Sequence, residues 1–157
     1  MTMLAIENLQ AWYGESHVLH GVSFHVEQGE LVTLLGRNGA GKTTTLRAVM
    51  GMMDRRTGSI RLAGTETIGL PAHRIPRLGI GYCPEERAVF RSLTVTENLM
   101  LPPQIGEGGL SREEIYALFP NLIERARSSG GNLSGCEHQM LAIARILRTG
   151  DKLLIFY

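Results

Sequence analysis

The sequence predicts an α/β fold built around a strand, a glycine-rich loop and a helix, on three observations. Residues 31–35 are a short apolar run with β-branched members that leads into a glycine-rich loop and then a helix-compatible stretch, 43–50. Residues 18–26 alternate, with Val18, Val22, Phe24 and Val26 on one face and His17, Ser23 and His25 on the other. Two S/T-x-x-E boxes, at 94–97 and 111–114, mark helices lying between two further apolar runs, 80–83 and 152–157. Together these give a parallel core, an antiparallel β layer ahead of it and a helical insertion within it.

Each element follows in order. Residues 3–12 read as a strand with Leu4 and Ile6 on one face, and the phase slips near Asn8, where a bulge is expected. Tyr13 and Gly14 begin a turn, and 18–26 return as the half-buried strand. His17 and His20, three residues apart in that strand, are predicted on opposite faces, which argues against a shared metal. Glu27, Gln28 and Gly29 turn the chain into the apolar run 31–35, predicted as a buried core strand.

Gly36-Arg37-Asn38-Gly39-Ala40-Gly41-Lys42-Thr43 then fits GxxxxGK[ST] at every fixed position. Small residues let the backbone wrap a phosphate closely, with several N–H groups turned inward. A helix starting near Lys42 adds the positive end of its dipole. Lys42 reaches the β- and γ-phosphates as a point charge, and the Thr43 hydroxyl is placed to ligate Mg²⁺.

Beyond the helix, 54–58 read as a polar turn and 59–63 as a short strand. Pro71 is predicted to open a short helix and Pro76 to end or kink it. Residues 80–83 form a second apolar strand stopped by Pro84. Thr94 and Glu97 cap a short helix through Leu101, and Ser111 and Glu114 cap another whose apolar face carries Ile115, Leu118 and Phe119. Pro120 breaks that helix, with Leu122 and Ile123 continuing the apolar positions. Residues 125–132 read as a polar, mobile connection. Ser134 opens a helix whose buried face is drawn from Met140, Leu141, Ile143, Ala144 and Leu147, and 152–157 suit a strand buried on both sides.

Composition narrows the classes. The 157 residues are 43% hydrophobic and 20% charged, which is globular and one domain's worth of chain. A net charge of +1 gives no electrostatic case for nucleic acid or an anionic membrane. No apolar run approaches the roughly 20 residues that span a bilayer, and the N-terminus lacks a signal-peptide pattern. Cys83 and Cys136 form no CxxC and are expected to be reduced thiols.

At Leu133 a second motif appears. LSGCEHQMLAIARIL is similar to LSGGEQQMLAIARAL, the signature stretch of ABC transporter ATPase subunits, and the order of aromatic turn, phosphate loop, YCPE segment, signature helix and apolar strand agrees. Within that superfamily LLGRNGAGKTTTLRAVMG, GIGYCPEER, SLTVTENLML and LFPNLIERAR resemble the ATPases of branched-chain amino acid and amide importers. The resemblance implies a P-loop NTPase fold, specifically an ABC ATPase core with an N-terminal antiparallel β layer and a helical insertion. It divides the chain into a nucleotide-binding core (1–87), a helical subdomain (88–133) and the signature helix with the Walker B strand (134–157).

By position, Tyr13 matches the aromatic that stacks on adenine. Gly36, Asn38, Gly39, Ala40, Gly41, Lys42, Thr43 and Thr44 match the ATP phosphate loop, with Lys42 in a catalytic role and Thr43 on Mg²⁺. Glu85 takes the place of the glutamine that links Mg²⁺ and attacking water to the permease, and the resemblance gives it a metal and catalytic role. Its bland reading is a solvated loop carboxylate. Arg87 reads as a surface cation. Ser134 and Gly135 match the residues that contact the γ-phosphate held by the opposite subunit; an N-cap role for Ser134 is compatible with that.

The partners implied are a second ABC ATPase subunit (identical or related), transmembrane permease subunits and, indirectly, an extracytoplasmic substrate-binding protein, with no nucleic acid. The location implied is cytoplasmic, peripheral on the inner face of the cell membrane. The activity implied is ATP binding and hydrolysis driving uptake of branched-chain amino acids or related amides.

Three departures qualify this. Cys136 stands at a signature glycine and His138 at a glutamine. By alignment with KLLLLDEP, Tyr157 stands at the Walker B aspartate, so the C-terminal part of the core, with the catalytic glutamate and switch histidine, is expected to be missing. The chain alone is therefore expected to hydrolyse ATP poorly. The alternative is a non-catalytic nucleotide-binding remnant or regulatory fragment.

Overall fold

A computed structural model describes residues 1–86 and 89–157. The chain forms two compact units, Met1–Leu78 and Gly79–Tyr157.

The first unit is a four-stranded antiparallel sheet in the order β2-β1-β3-β4, joined by one helix. β1 (Thr2–Tyr13) pairs with β2 (Ser16–Glu27) and with β3 (Arg55–Leu62), and β3 pairs with the short β4 (Thr65–Glu66). Leu4, Ile6, Leu9 and Ala11 of β1 are buried, with Leu19 and Val26 of β2 and Ile60 and Leu62 of β3. Ile6 and Leu9 are both buried although three residues apart, because β1 bulges between them. Asn8 sits in the bulge with φ 49° and its N–H donates to Ser23 Oγ. The neighbouring strands make room for it with glycines. A Cβ at Gly58 would lie 2.4 Å from the Asn8 carbonyl oxygen, and one at Gly21 would lie 2.8 Å from Asn8 Oδ1.

A bulge on β2 corrects the reading of the histidines. Ala11 pairs with Leu19 but Trp12 with His17, so Val18 is extra and the two-residue alternation slips by one. His17 and His20 therefore share a face. Their ring centroids are 4.1 Å apart, His17 stacks on Trp12 at 4.3 Å, and the Arg55 guanidinium lies 4.4 Å from the Trp12 ring centroid. No group of three or more possible metal-ligating side chains occurs among the described residues.

The run 31–35 is not a strand. Leu31 and Leu35 are 91% and 88% exposed, and no strand among the described residues pairs with the run. An apolar run becomes a buried parallel strand only when neighbours supply both hydrogen-bond ladders and both covering faces. The helix α1 (Lys42–Val49) does form, burying Thr45, Ala48 and Val49. Arg56 reaches across to its end, donating to the Ala48 carbonyl and to those of Thr67 and Leu70. Burial lowers the pKa of that guanidinium, with Glu66 opposing. β3 starts at Arg55, so most of the expected polar turn is strand. The prolines also act differently. Pro71 opens only a turn, closed by the Arg74 N–H, and Pro76 starts the 3₁₀ turn Pro76–Leu78 where a helix was expected to stop. Proline lacks the N–H but its fixed φ suits a first helical position.

In the second unit β5 (Ile80–Cys83) and β6 (Leu153–Phe156) form a parallel pair, in register from Ile80 with Leu153 to Cys83 with Phe156. β6 is buried at Ile155 only. Phe156 and Tyr157 are about half exposed, so the strand is not covered on both faces as expected. Between the two strands lie α2 (Val95–Met100), α3 (Arg112–Leu118), α4 (Asn121–Glu124) and α5 (Gly135–Leu147). α2 and α3 carry the capping boxes read from Thr94 and Ser111, and Pro120 separates α3 from α4. Val95, Leu99, Ile115, Leu122, Leu133, Leu141 and Ala144 form one buried cluster. Leu118 and Ile123 are exposed instead, and α3 buries only Ile115 and α4 only Leu122.

Residues 125–132 are not a loose connection. The Thr96 N–H donates to the Ala126 carbonyl and Val95 N–H to that of Ser128, Thr94 bridges Ser129, and Gly130–Asn132 make a 3₁₀ turn. Cys83 is buried and Cys136 exposed, and neither is in a disulfide. Among the described residues no helix is long and apolar enough to cross a membrane.

Candidate functional site

The glycine-rich loop in the first unit closes on itself through hydrogen bonds. The Ala40 N–H donates to the Arg37 carbonyl at 3.0 Å. Lys42 Nζ donates to the carbonyls of Gly36 at 2.7 Å and Arg37 at 3.0 Å, which holds the ammonium over the start of the loop. Gly41 is the N-cap of α1 with φ 98°, and a Cβ there would lie 2.9 Å from Leu19 Cδ2. Only glycine takes that backbone at that distance without strain. Gly36 is tight as well, since a Cβ would come within 3.1 Å of the Ala40 methyl group.

A phosphate group suits this loop on four counts. The start of α1 has no side-chain cap, and no acidic residue stands in its first turn. Lys42 supplies a cation there, and the small residues at 36, 39, 40 and 41 admit close backbone approach. Gly36, Asn38, Gly39 and Ala40 are exposed, whereas Lys42, Thr43 and Thr44 are half-buried. The next residue, Thr45, spends its hydroxyl on the Gly41 carbonyl. Tyr13, at the end of β1 opposite Ser16, is 42% exposed, which leaves ring surface available for stacking.

The remaining sequence-predicted residues lie in the second unit. Glu85 is exposed on the turn after β5. Ser134 caps α5, its hydroxyl accepting from the Glu137 N–H while Glu137 Oε2 accepts from the Ser134 N–H at 2.7 Å. Glu85, Ser134 and Gly135 share one open cleft of about 610 Å³ with Cys136, Gln139 and Tyr157. The structure thus brings Glu85 beside the start of α5, a juxtaposition the sequence reading did not contain. Arg87, read as a surface cation, lies outside the described residues.

Glu137 was not singled out from the sequence, although the S-x-x-E spacing with Ser134 carries the signal. Its carboxyl is held below the ordinary glutamate value by the Ser134 N–H, then by the Ser134 hydroxyl and Arg125. Arg125 Nε donates to Glu137 Oε1 at 3.1 Å, and the His138 ring Nε2 donates to the Gly130 carbonyl. Neither contact has a signal in local spacing.

Comparison with known proteins then places the chain. The ABC transporter family model matches residues 19–156. The chain is 42% identical over 156 residues to the high-affinity branched-chain amino acid transport ATP-binding protein BraG of Pseudomonas aeruginosa, covering 98% of this chain and 67% of that protein. It is 39% identical over 161 residues to the lipopolysaccharide export system ATP-binding protein LptB of Escherichia coli, covering 99% and 66%. Among solved structures it resembles a bacterial Atm1-family ABC exporter with ATP bound, with TM-score 0.78 and 28% identity over 98% of this chain and 28% of that one. The chain spans about two thirds of the length of these curated relatives.

Proposed function

We propose, from the premise that this chain belongs to the ABC transporter family, that its loop binds ATP and that the protein couples ATP binding and hydrolysis to uptake of branched-chain amino acids or related amides. The observation that carries the nucleotide reading is the start of α1, uncapped and free of acidic residues in its first turn, with the Lys42 ammonium held over the start of the loop that leads into it. The transport reading rests on similarity to BraG at 42% identity. LptB, named for lipopolysaccharide export, is close behind at 39%, so the cargo is the part of the reading that most needs its own test.

In this reading Tyr13 stacks on adenine and the N–H groups of 36–44 wrap the phosphates. Lys42 exchanges its two backbone carbonyls for phosphate oxygens, a stronger, charge-assisted contact. The Thr43 hydroxyl and the Glu85 carboxylate are oxygen donors of the kind Mg²⁺ prefers, and Mg²⁺ would neutralise charge on the β- and γ-phosphates. Ser134 and Gly135 contact the γ-phosphate held by a second ATPase subunit, and the pair works on permease subunits at the inner face of the membrane. A substrate-binding protein engages the assembly indirectly.

Residue identities favour one second reading, a nucleotide-binding chain with little hydrolysis. Cys136 replaces a signature glycine, and the Tyr157 phenol occupies the place of a carboxylate that would orient Mg²⁺. Titration with a fluorescent ATP analogue in Mg²⁺, paired with phosphate release, separates the readings. Saturable binding, weakened about 10- to 100-fold by Lys42→Ala, is expected under both. Phosphate release that also depends on Lys42 supports the coupled ATPase, and binding without release supports the second reading. Absence of nucleotide binding would overturn both. Uptake of labelled leucine in cells deleted for the gene tests the cargo.

A further inference from the structure

We infer that Arg125 and His138 are positioning residues for the start of α5, setting the direction in which Ser134 and Gly135 present their donors to a phosphate on a second subunit. The inference rests on the proposed function of those two residues.

The capping box alone does not set that direction. The two capping-box bonds run between Ser134 and Glu137, both within the first turn, so they travel with the helix if it rotates about its axis. Two further contacts leave the turn. Glu137, whose Oε2 holds the Ser134 N–H, gives its other oxygen to Arg125 Nε at 3.1 Å. His138 donates from ring Nε2 to the Gly130 carbonyl. A carbonyl can only accept, so Nε2 carries the proton. Successive residues project about 100° apart around a helix, so ties at 137 and 138 pull in different directions and fix rotation as well as position.

Both ties end on firm ground. Arg125 is the C-cap of α4. The Gly130 N–H donates to the Leu93 carbonyl at 2.8 Å and the Gly131 N–H to that of Arg91 at 3.0 Å. A Cβ at Gly130 would lie 2.6 Å from the Phe90 carbonyl oxygen, so the turn is seated directly on that strand of chain. Residues 90–94 are in turn held by Asn98, fully buried, which donates to the carbonyls of Phe90, Leu93 and Thr94 and accepts from the Phe90 N–H at 2.8 Å. A continuous hydrogen-bonded path therefore runs from a buried amide to the first turn of α5.

Arg125 has a second effect. Glu137 puts a carboxylate in the same first turn that is to receive an anion, and like charges there repel. The guanidinium paired with it offsets that charge.

The test uses the full chain and MgATP. Sedimentation measures ATP-promoted self-association, and a fluorescent ATP analogue measures affinity at the phosphate loop. Arg125→Ala and His138→Ala are each expected to weaken ATP-promoted association about tenfold. Loop affinity should stay within about twofold, since neither residue belongs to it. His138→Gln, which keeps an amide donor, and Arg125→Lys, which keeps the charge, should recover most of the loss. Association as strong in both alanine variants as in the parent would overturn the inference alone. So would equal loss in His138→Ala and His138→Gln accompanied by equal loss of melting temperature, which marks a merely structural role. A parent chain that binds ATP and stays monomeric would overturn the reading of Ser134 and Gly135 as donors in trans, and the inference with it.

Discussion

Two helices in this protein begin with glycine and hydroxyl residues, and their starts are built in opposite ways. α1 opens on Gly41, with no side-chain cap and no acid in its first turn. α5 opens on Ser134, and Glu137 closes a full capping box. The first start leaves its backbone donors to whatever anion arrives and brings a lysine to meet it. The second satisfies part of its donors internally and braces what remains against the preceding turn. The same local chemistry of helix ends thus yields a receiver in one place and a rigid pointer in the other. What decides is the residue at the cap and three positions on.

The largest expected effect removes the support beneath the second start. Asn98→Leu keeps the volume but strands the Phe90 N–H and takes one of their donors from the Phe90, Leu93 and Thr94 carbonyls, and should cost about 3 kcal/mol in chemical denaturation. The phosphate loop of the remaining folded protein should bind nucleotide as before. Lys42→Ala should do the reverse, weakening nucleotide binding by about 10- to 100-fold while moving stability by no more than about 0.5 kcal/mol. Equal losses in both measurements for either variant would erase the distinction between the two starts.

Gly41→Ala probes the receiver's backbone. At φ 98° and 2.9 Å from Leu19, it should cost about 1–3 kcal/mol of stability, and a neutral result by thermal denaturation would show that α1 can start another way. Ser134→Ala removes a side-chain cap and should cost about 1 kcal/mol. The smallest effect is in pH. The Glu137 carboxyl lies below its ordinary value in the folded protein. Its stabilisation is therefore present above the ordinary glutamate value and is lost as pH falls through the depressed one. Glu137→Gln should flatten that part of the acid-side decline in melting temperature, and no substitution in the first turn of α1, which holds no acid, should do so.

What the sequence made legible was local. GxxxxGK[ST] fixes a loop by spacing alone, and Thr94 with Glu97 and Ser111 with Glu114 declare helix starts within four residues. β5 was read to its ends because Pro84 punctuates it. The bulge at Asn8 showed as a slip in phase, yet the one at Val18 did not, because the sequence there alternates well enough to hide an extra residue. The run 31–35 has a strand's composition, but pairing is a property of neighbours, and periodicity contains no neighbours. Arg125 and His138 escaped for a similar reason, their partners being 12 and 8 residues away across irregular chain.

The bulge in β1 has one more consequence. Asn8 is flanked on one side by Gly21 and on the other by Gly58, and at both places a methyl group would collide with it. Of all the ways β1 might slide against β2 and β3, only one sets two gaps astride the protrusion, so the trio works as a key between two notches. A register shifted by even one residue would set a Cβ against Asn8 in place of hydrogen. Tyr13, five residues along the same strand, inherits its place from that fit. The aromatic's address is written in the shape of an asparagine five positions before it.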